Sequence, residues 1–140
     1  MPDDCYYRCS AKGLVLDKNG THFLIIQDSS NFWDLPGGGI EYDAIPTEEL
    51  AREILEETGI KIKACFGRPI DFITGRRTLQ PDVHIANIVY LCEIEKLVLR
   101  ESAECVAARF VSPADVSQLR ASDLLKDVAA RFVDYRIDQG

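Results

Sequence analysis

The sequence predicts an α/β chain of the α+β kind, a mixed β-sheet packed between helices. Three observations predict it. Runs rich in β-branched and aromatic residues fill the first third and return between residues 60 and 95. An amphipathic helical pattern begins near Pro46 or Thr47 and is closed by Gly59. Two further helical stretches follow a late apolar run.

Taken in order, YRCSAKGLVLD and THFLIIQD read as strands, and the Asn-Gly of DKNG between them is the signal of a tight hairpin. FWDLP is a short extended piece leading into Gly37-Gly38-Gly39, three residues that let the backbone turn freely and approach a ligand closely. The helix REILEETG region comes next. IKIKACFGRPIDFITG and VHIANIVYLCEIE supply more strands, with RRTLQPD between them as an exposed loop. ARFVSPADVSQL is a strand running into a short helix, with Ser112 as N-cap, Pro113 in the first position and Asp115 closing a capping box. From Ser122 to Tyr135 a closing helix turns Leu124, Leu125, Val128, Ala129, Phe132 and Val133 inward.

The 140 residues suit one domain, 1–140, with a core of its own; no repeat or linker divides them. A composition 46% hydrophobic and 28% charged is that of a soluble globular protein. No run approaches the eighteen apolar residues or so of a membrane span, and the acidic MPDDCYYRCS is no signal peptide, so a cytoplasmic location is expected. The net charge of −7 argues against a nucleic-acid partner but not against a small anion bridged by a cation. Five cysteines without a C-x-x-C pair argue against a disulfide framework or a zinc site and for buried structural thiols.

The helix carries the chemistry. At about 100° per residue, with Glu53 at zero, Glu57 lies near +40°, Glu49 near −40° and Glu56 near −60°, four carboxylates in roughly 100° of arc. Leu50, Ile54, Thr58, Ala51 and Leu55 fill an apolar arc beside them. A solvated face explains such acids only in part: Arg52 is spaced to pair with Glu48 and Glu56, but no lysine is interspersed. A divalent cation relieves the repulsion, since hard ions take oxygen ligands and carboxylates at i, i+3 and i+4 converge. The triple glycine is neither a P-loop nor a dinucleotide fingerprint, because no Lys-Ser/Thr follows and the helix starts too late.

From Gly38 the chain reads GGIEYDAIPTEELAREILEETGI, which resembles the Nudix box: Gly, five residues, Glu, seven residues, then Arg-Glu-apolar-x-Glu-Glu-x-Gly-apolar. Gly38, Arg52, Glu53, Ile54, Glu56, Glu57, Gly59 and Ile60 match at the proper spacing, with Pro36, Gly37 and Trp33 in familiar places. One position departs: Ala44 stands where the pattern has its first Glu, and Ile45 replaces the usual capping Ser. That Glu is thought to brace the loop by pairing with charged box residues, and Asp43 or Glu41 is the available substitute.

The resemblance implies a Nudix-type α/β/α sandwich that hydrolyses a nucleoside diphosphate linked to another group, with Mg²⁺, or Mn²⁺ in its place. By position, Glu53, Glu56, Glu57 and the Gly37 carbonyl would hold the metal, and Arg52 would orient Glu53, the residue that handles the attacking water. Glu104 is the choice for a further acidic ligand from a loop near a late strand, with Glu101 in reserve. No nucleophilic Ser, Cys or His is required, and His22 and His84 are expected at the surface or in packing. Gly37, Gly38, Arg8 and Trp33 are expected to bind substrate; Lys12, Arg76 and Arg77 could meet phosphates or serve as surface cations, and Tyr7 and Phe32 could stack on a base. The minimal domain, without an N-terminal extension, favours a nucleoside triphosphate diphosphatase, monomer or homodimer. ADP-sugar or dinucleotide hydrolysis and a non-catalytic nucleotide-binding module are the alternatives.

Overall fold

The computed structural model describes residues 4–135. The elements follow as β1 (Arg8–Val15), β2 (Phe23–Gln27), β3 (Trp33–Asp34), β4 (Gly37–Gly39), α1 (Pro46–Thr58), β5 (Ile62–Arg77), β6 (Gln80–Ile94), β7 (Ala107–Val111), a 3₁₀ helix (Pro113–Gln118), α2 (Asp123–Arg131) and a 3₁₀ turn (Phe132–Asp134). One sheet has the order β4-β1-β6-β5, mixed because β1 runs parallel to β6 and antiparallel to β4. A second, antiparallel sheet has the order β3-β2-β7.

The expected hairpin between β1 and β2 is realised only at its turn. Asp17 closes it, its N–H donating to His22 O at 2.9 Å and its Oδ1 accepting from the Thr21 and His22 amides. The strands then meet at one bridge, Leu16 to Phe23, and peel into different sheets. Their composition explains this. Leu14 and Val15 are adjacent and buried, as are Phe23, Leu24 and Ile25, so along these stretches neither strand has a solvent face. Each lies between two cores. On one side Ala11, Val15, Leu24 and Cys92 pack with Leu50, Ile54 and Ile60. On the other Leu14, Phe23, Ile25 and Val89 pack with Leu124, Leu125 and Val128. The result is the expected α/β/α sandwich.

Four local expectations are corrected. The three glycines are not a free turn but a strand, pairing Gly39, Gly38 and Gly37 with Ser10, Ala11 and Lys12. RRTLQPD is not a loop: Arg77 and Gln80 are register partners flanking a two-residue turn, because backbone pairing of the hairpin outruns its buried part. The closing helix tightens to 3₁₀ at Phe132, which rotates Val133 out to 85% exposure. Of the five thiols, Cys92 and Cys105 are buried and Cys65 half-buried, whereas Cys5 and Cys9 are exposed. Ser112 and Ser122 do cap their helices, accepting from Asp115 N and Leu125 N, although the first of these helices is 3₁₀.

Candidate active site

Helix α1 is fixed unequally at its two ends. Its N-cap, Ile45, offers no side-chain hydrogen bond, and Pro46 covers the first position, where no N–H is needed. At the far end Gly59 turns left-handed (φ 75°) and returns its N–H to Leu55 O. The segment after β6 completes the cap. The Arg100 guanidinium donates to Leu55 O at 3.2 Å and Glu56 O at 2.9 Å, and the Ser102 hydroxyl donates to Glu57 O at 2.6 Å. The same segment brings Glu104 to the cleft occupied by Glu57.

The acids of α1 do not form one solvated face. The side chains of Glu49 and Glu53 are only 12% and 15% exposed, against 63% for Glu56. The fully apolar stripe is narrower than expected, Leu50, Ile54 and Thr58, and Leu55 is 46% exposed. The helix therefore docks with its acidic arc turned partly inward, toward the edge strand β4. Gly38 makes room for this: a Cβ there would overlap the Glu53 carboxylate, just as one at Gly37 would overlap the Ala11 carbonyl and meet Leu50 at 2.8 Å. Gly39 does the same for the Arg8 guanidinium, so all three glycines are clearances for neighbours.

Shelter changes the protonation of these groups. Burial, then the neighbouring Glu49 charge, raises the Glu53 pKa. Burial, followed by the charge of Glu53, pushes Glu57 up to about 7, with Glu104 adding to the rise and Lys12 opposing it. Glu49 moves the other way, held down chiefly by its hydrogen bond from Arg52. Arg52 is shared: it pairs with Glu49, donates from Nη1 to Glu56 at 2.7 Å and lies 3.7 Å from Glu53.

Two clefts meet beside this helix. The smaller, about 340 Å³, is lined by Gly37, Glu57, Ala103 and Glu104; Glu101 does not reach it. The larger, about 660 Å³, is lined by Gly38, Gly39, Ser10, Asn87, Arg76, Arg77, Leu124 and Asp127. Lys12, Asp28, Ser30, Phe32 and Asp34 border both. Lys12, side chain 13% exposed, is held at the junction by Asp34 at 3.3 Å. Asn87 is buried and donates to Ile73 O at 3.2 Å. Asp28 shapes the rim, its carboxylate accepting from the amides of Ser30 and Phe32 around left-handed Asn31.

Several expected substrate contacts fall elsewhere. Trp33 lines neither cleft: on two-residue β3 its side chain points opposite to Phe32 and Asp34, packing on the α2 core under Arg109, 5.1 Å from the ring. Phe32 takes the cleft position instead. Arg8 stacks against Gly39 and pairs with Glu41 at 3.7 Å, at the rim of a third groove of about 700 Å³ with Tyr6, Tyr7 and His84. Glu41 is therefore engaged away from the helix, and Asp43 serves the bend, its φ of +65° filling a left-handed position that favours glycine. Asp28, Ser30, Asn87 and Asp127 were missed because single polar residues in a turn, a strand and a helix carry no spacing signal.

The donor set suits a hard divalent ion. Burial, with the charges of Glu53, Glu104 and Glu56 added to it, raises the Glu57 pKa to about 7, and Lys12 opposes the rise. Among the described residues no three acidic, His or Cys side chains converge into a ready-made cage. Mg²⁺ fits that arrangement, because it is usually bound by one or two carboxylates plus phosphate oxygens and water.

Comparison with known proteins gives one family. The NUDIX domain model matches residues 7–133. A MutT-like protein of Streptomyces ambofaciens is 32% identical over 114 residues, 80% of this chain and 68% of that protein. The solved MutT protein of Methanosarcina mazei Go1 superposes with a TM-score of 0.69 at 26% identity, covering 91% of this chain and 94% of that one. An ADP-ribose pyrophosphatase from Streptococcus suis, at 22% identity, shares the fold with a TM-score of 0.68 over 91% of this chain and 88% of its own.

Proposed function

The chain belongs to the Nudix family, a family of hydrolases acting on pyrophosphate bonds, and on that premise we propose that it hydrolyses a nucleoside triphosphate to the monophosphate and pyrophosphate. The observation that carries this reading is the inward-turned acid arc of α1. Glu53 is sheltered beside Gly38 and Glu57 lines the smaller cleft, which shares Lys12, Phe32 and Asp34 with a cavity of nucleoside size.

In this reading Glu53 takes the proton of the attacking water. Arg52, 3.7 Å away, orients Glu53. Lys12 stands between the acids and the larger cavity and offsets phosphate charge. Phe32 stacks on the base and Asn87 offers its amide, while Arg76 and Arg77 close the rim. Magnesium, or manganese in its place, would be held by Glu53, Glu57, the Gly37 carbonyl and Glu104, with Glu56 joining on release from Arg52, and would supply neutralisation of the diphosphate and activation of water. A cytoplasmic setting and a small nucleotide as partner go with this reading; the charge of −7 disfavours polyanions. Among the described residues no helix is long and apolar enough to cross a membrane.

A second reading, hydrolysis of an ADP-sugar or a dinucleotide, draws on the third groove. Tyr7 and His84, ring centroids 5.9 Å apart, could take a second nucleoside or sugar across Arg8. The test is product release with Mg²⁺ from nucleoside triphosphates, ADP-ribose and dinucleoside polyphosphates. Pyrophosphate from a triphosphate supports the first reading, and turnover of the others alone supports the second. No turnover, with nucleotide still raising the melting temperature, contradicts both and indicates a binding module. Glu53→Gln is expected to lower kcat about 10²- to 10⁴-fold.

A further inference from the structure

Position 44 offers α1 no carboxylate, since it holds Ala44; of the acids just before it, Glu41 pairs with Arg8 at 3.7 Å and Asp43 occupies a left-handed bend. Arg52 is nonetheless gripped on both sides. Glu49, one turn back, pairs with Nη2 and lies 3.4 Å from Nε, while Glu56, one turn on, takes Nη1 at 2.7 Å. Contacts at three nitrogens fix the plane of a guanidinium as a single contact cannot. Glu49 is also sheltered, at 12% side-chain exposure, where a solvated acid on this helix, Glu56, has 63%. Its partner nitrogen, Arg52 Nη2, is the one that stands 3.7 Å from Glu53 Oε1.

We propose that Glu49, at one of the unspecified positions of the motif that marks this helix, is a positioning residue: it fixes Arg52 and, through Arg52, the Glu53 carboxylate. The catalytic half of this statement rests on the hydrolase reading above; the Glu49–Arg52 contact does not. Glu49→Gln keeps the shape and removes the charge. The expected result is a fall in kcat of about 10- to 100-fold with KM changed little, as for other residues that orient a reacting group. If Glu49 acts through Arg52, the same substitution in an Arg52→Ala background lowers kcat by no more than about twofold further. Full additivity of the two losses, or weaker Mn²⁺ binding on adding Glu49→Gln to Arg52→Ala, overturns the proposal, the latter by making Glu49 a cation ligand.

A second readout needs no turnover. In ¹⁵N NMR of the metal-free protein the Arg52 Nε–H resonance is expected to be protected from solvent exchange, to lose that protection in Glu49→Gln and to keep it in Glu56→Gln. An unchanged resonance in Glu49→Gln overturns the proposal. Wild-type protein inactive on every substrate instead removes the hydrolase reading and with it the catalytic half, leaving the resonance to decide the contact itself.

Discussion

At the scale of single residues, Gly37 and Gly38 are adjacent in the sequence but differ in what they clear. A side chain at Gly37 would meet backbone, the Ala11 carbonyl, at a φ of +133°, so Gly37→Ala damages the fold. At Gly38 the obstacle is the end of a flexible side chain, Glu53. Gly38→Ala should therefore leave the melting temperature nearly unchanged while displacing the carboxylate, and a shift of about 1 Å can cost on the order of 10²-fold in kcat. Steady-state kinetics beside a thermal melt checks this. Ile45 is 55% exposed at an N-cap it cannot serve. Ile45→Ser is expected to stabilise by about 0.5–1 kcal/mol, raising the melting temperature by roughly 2–4 °C. The need for a glycine-rich approach was legible in the three letters; which neighbour each glycine clears was not, because that depends on where α1 docks.

At the scale of elements, the sequence located α1 well, since a Pro start, a Gly stop and a 3.6-residue period act along one helix. It described the acid arc as well, but not its shelter. A helical wheel gives angles about the helix's own axis and carries no information on what stands opposite, here β4. The C-terminal clamp was equally invisible, for Arg100 lies more than forty residues away along the chain. It fixes the turn that bears Glu56 and Glu57. Arg100→Ala should cost about 1 kcal/mol, the scale of a hydrogen bond. Hydrogen exchange read at the amides of the last turn of α1 should speed up, with α2 unaffected; equal acceleration in both helices would contradict a local clamp.

At the scale of the whole molecule, the strands were legible from composition and the β1–β2 connection from its Asn-Gly turn, but not the separation of those strands into two sheets. That follows from both being buried on both faces, which only the assembled layers reveal. The layers also set the electrostatics. Glu57 has its pKa raised to about 7, so in metal-free protein the folded state holds this proton more tightly than the unfolded chain. Stability from this group should fall as pH rises from the ordinary carboxylate range toward 7 and level off above it. Metal binding needs the ionised form, so affinity for Mg²⁺ should rise with pH up to about 7 and then flatten. Melting curves across pH with and without Mg²⁺ test both signs. Whether the inward acids of α1 grip a divalent ion is read by calorimetric titration of Mn²⁺ into wild type, Glu53→Gln and Glu57→Gln in the presence of a non-hydrolysable nucleotide. Each substitution is expected to weaken Mn²⁺ binding by about tenfold or more; affinities equal to wild type in both variants would show that these acids do not hold the ion.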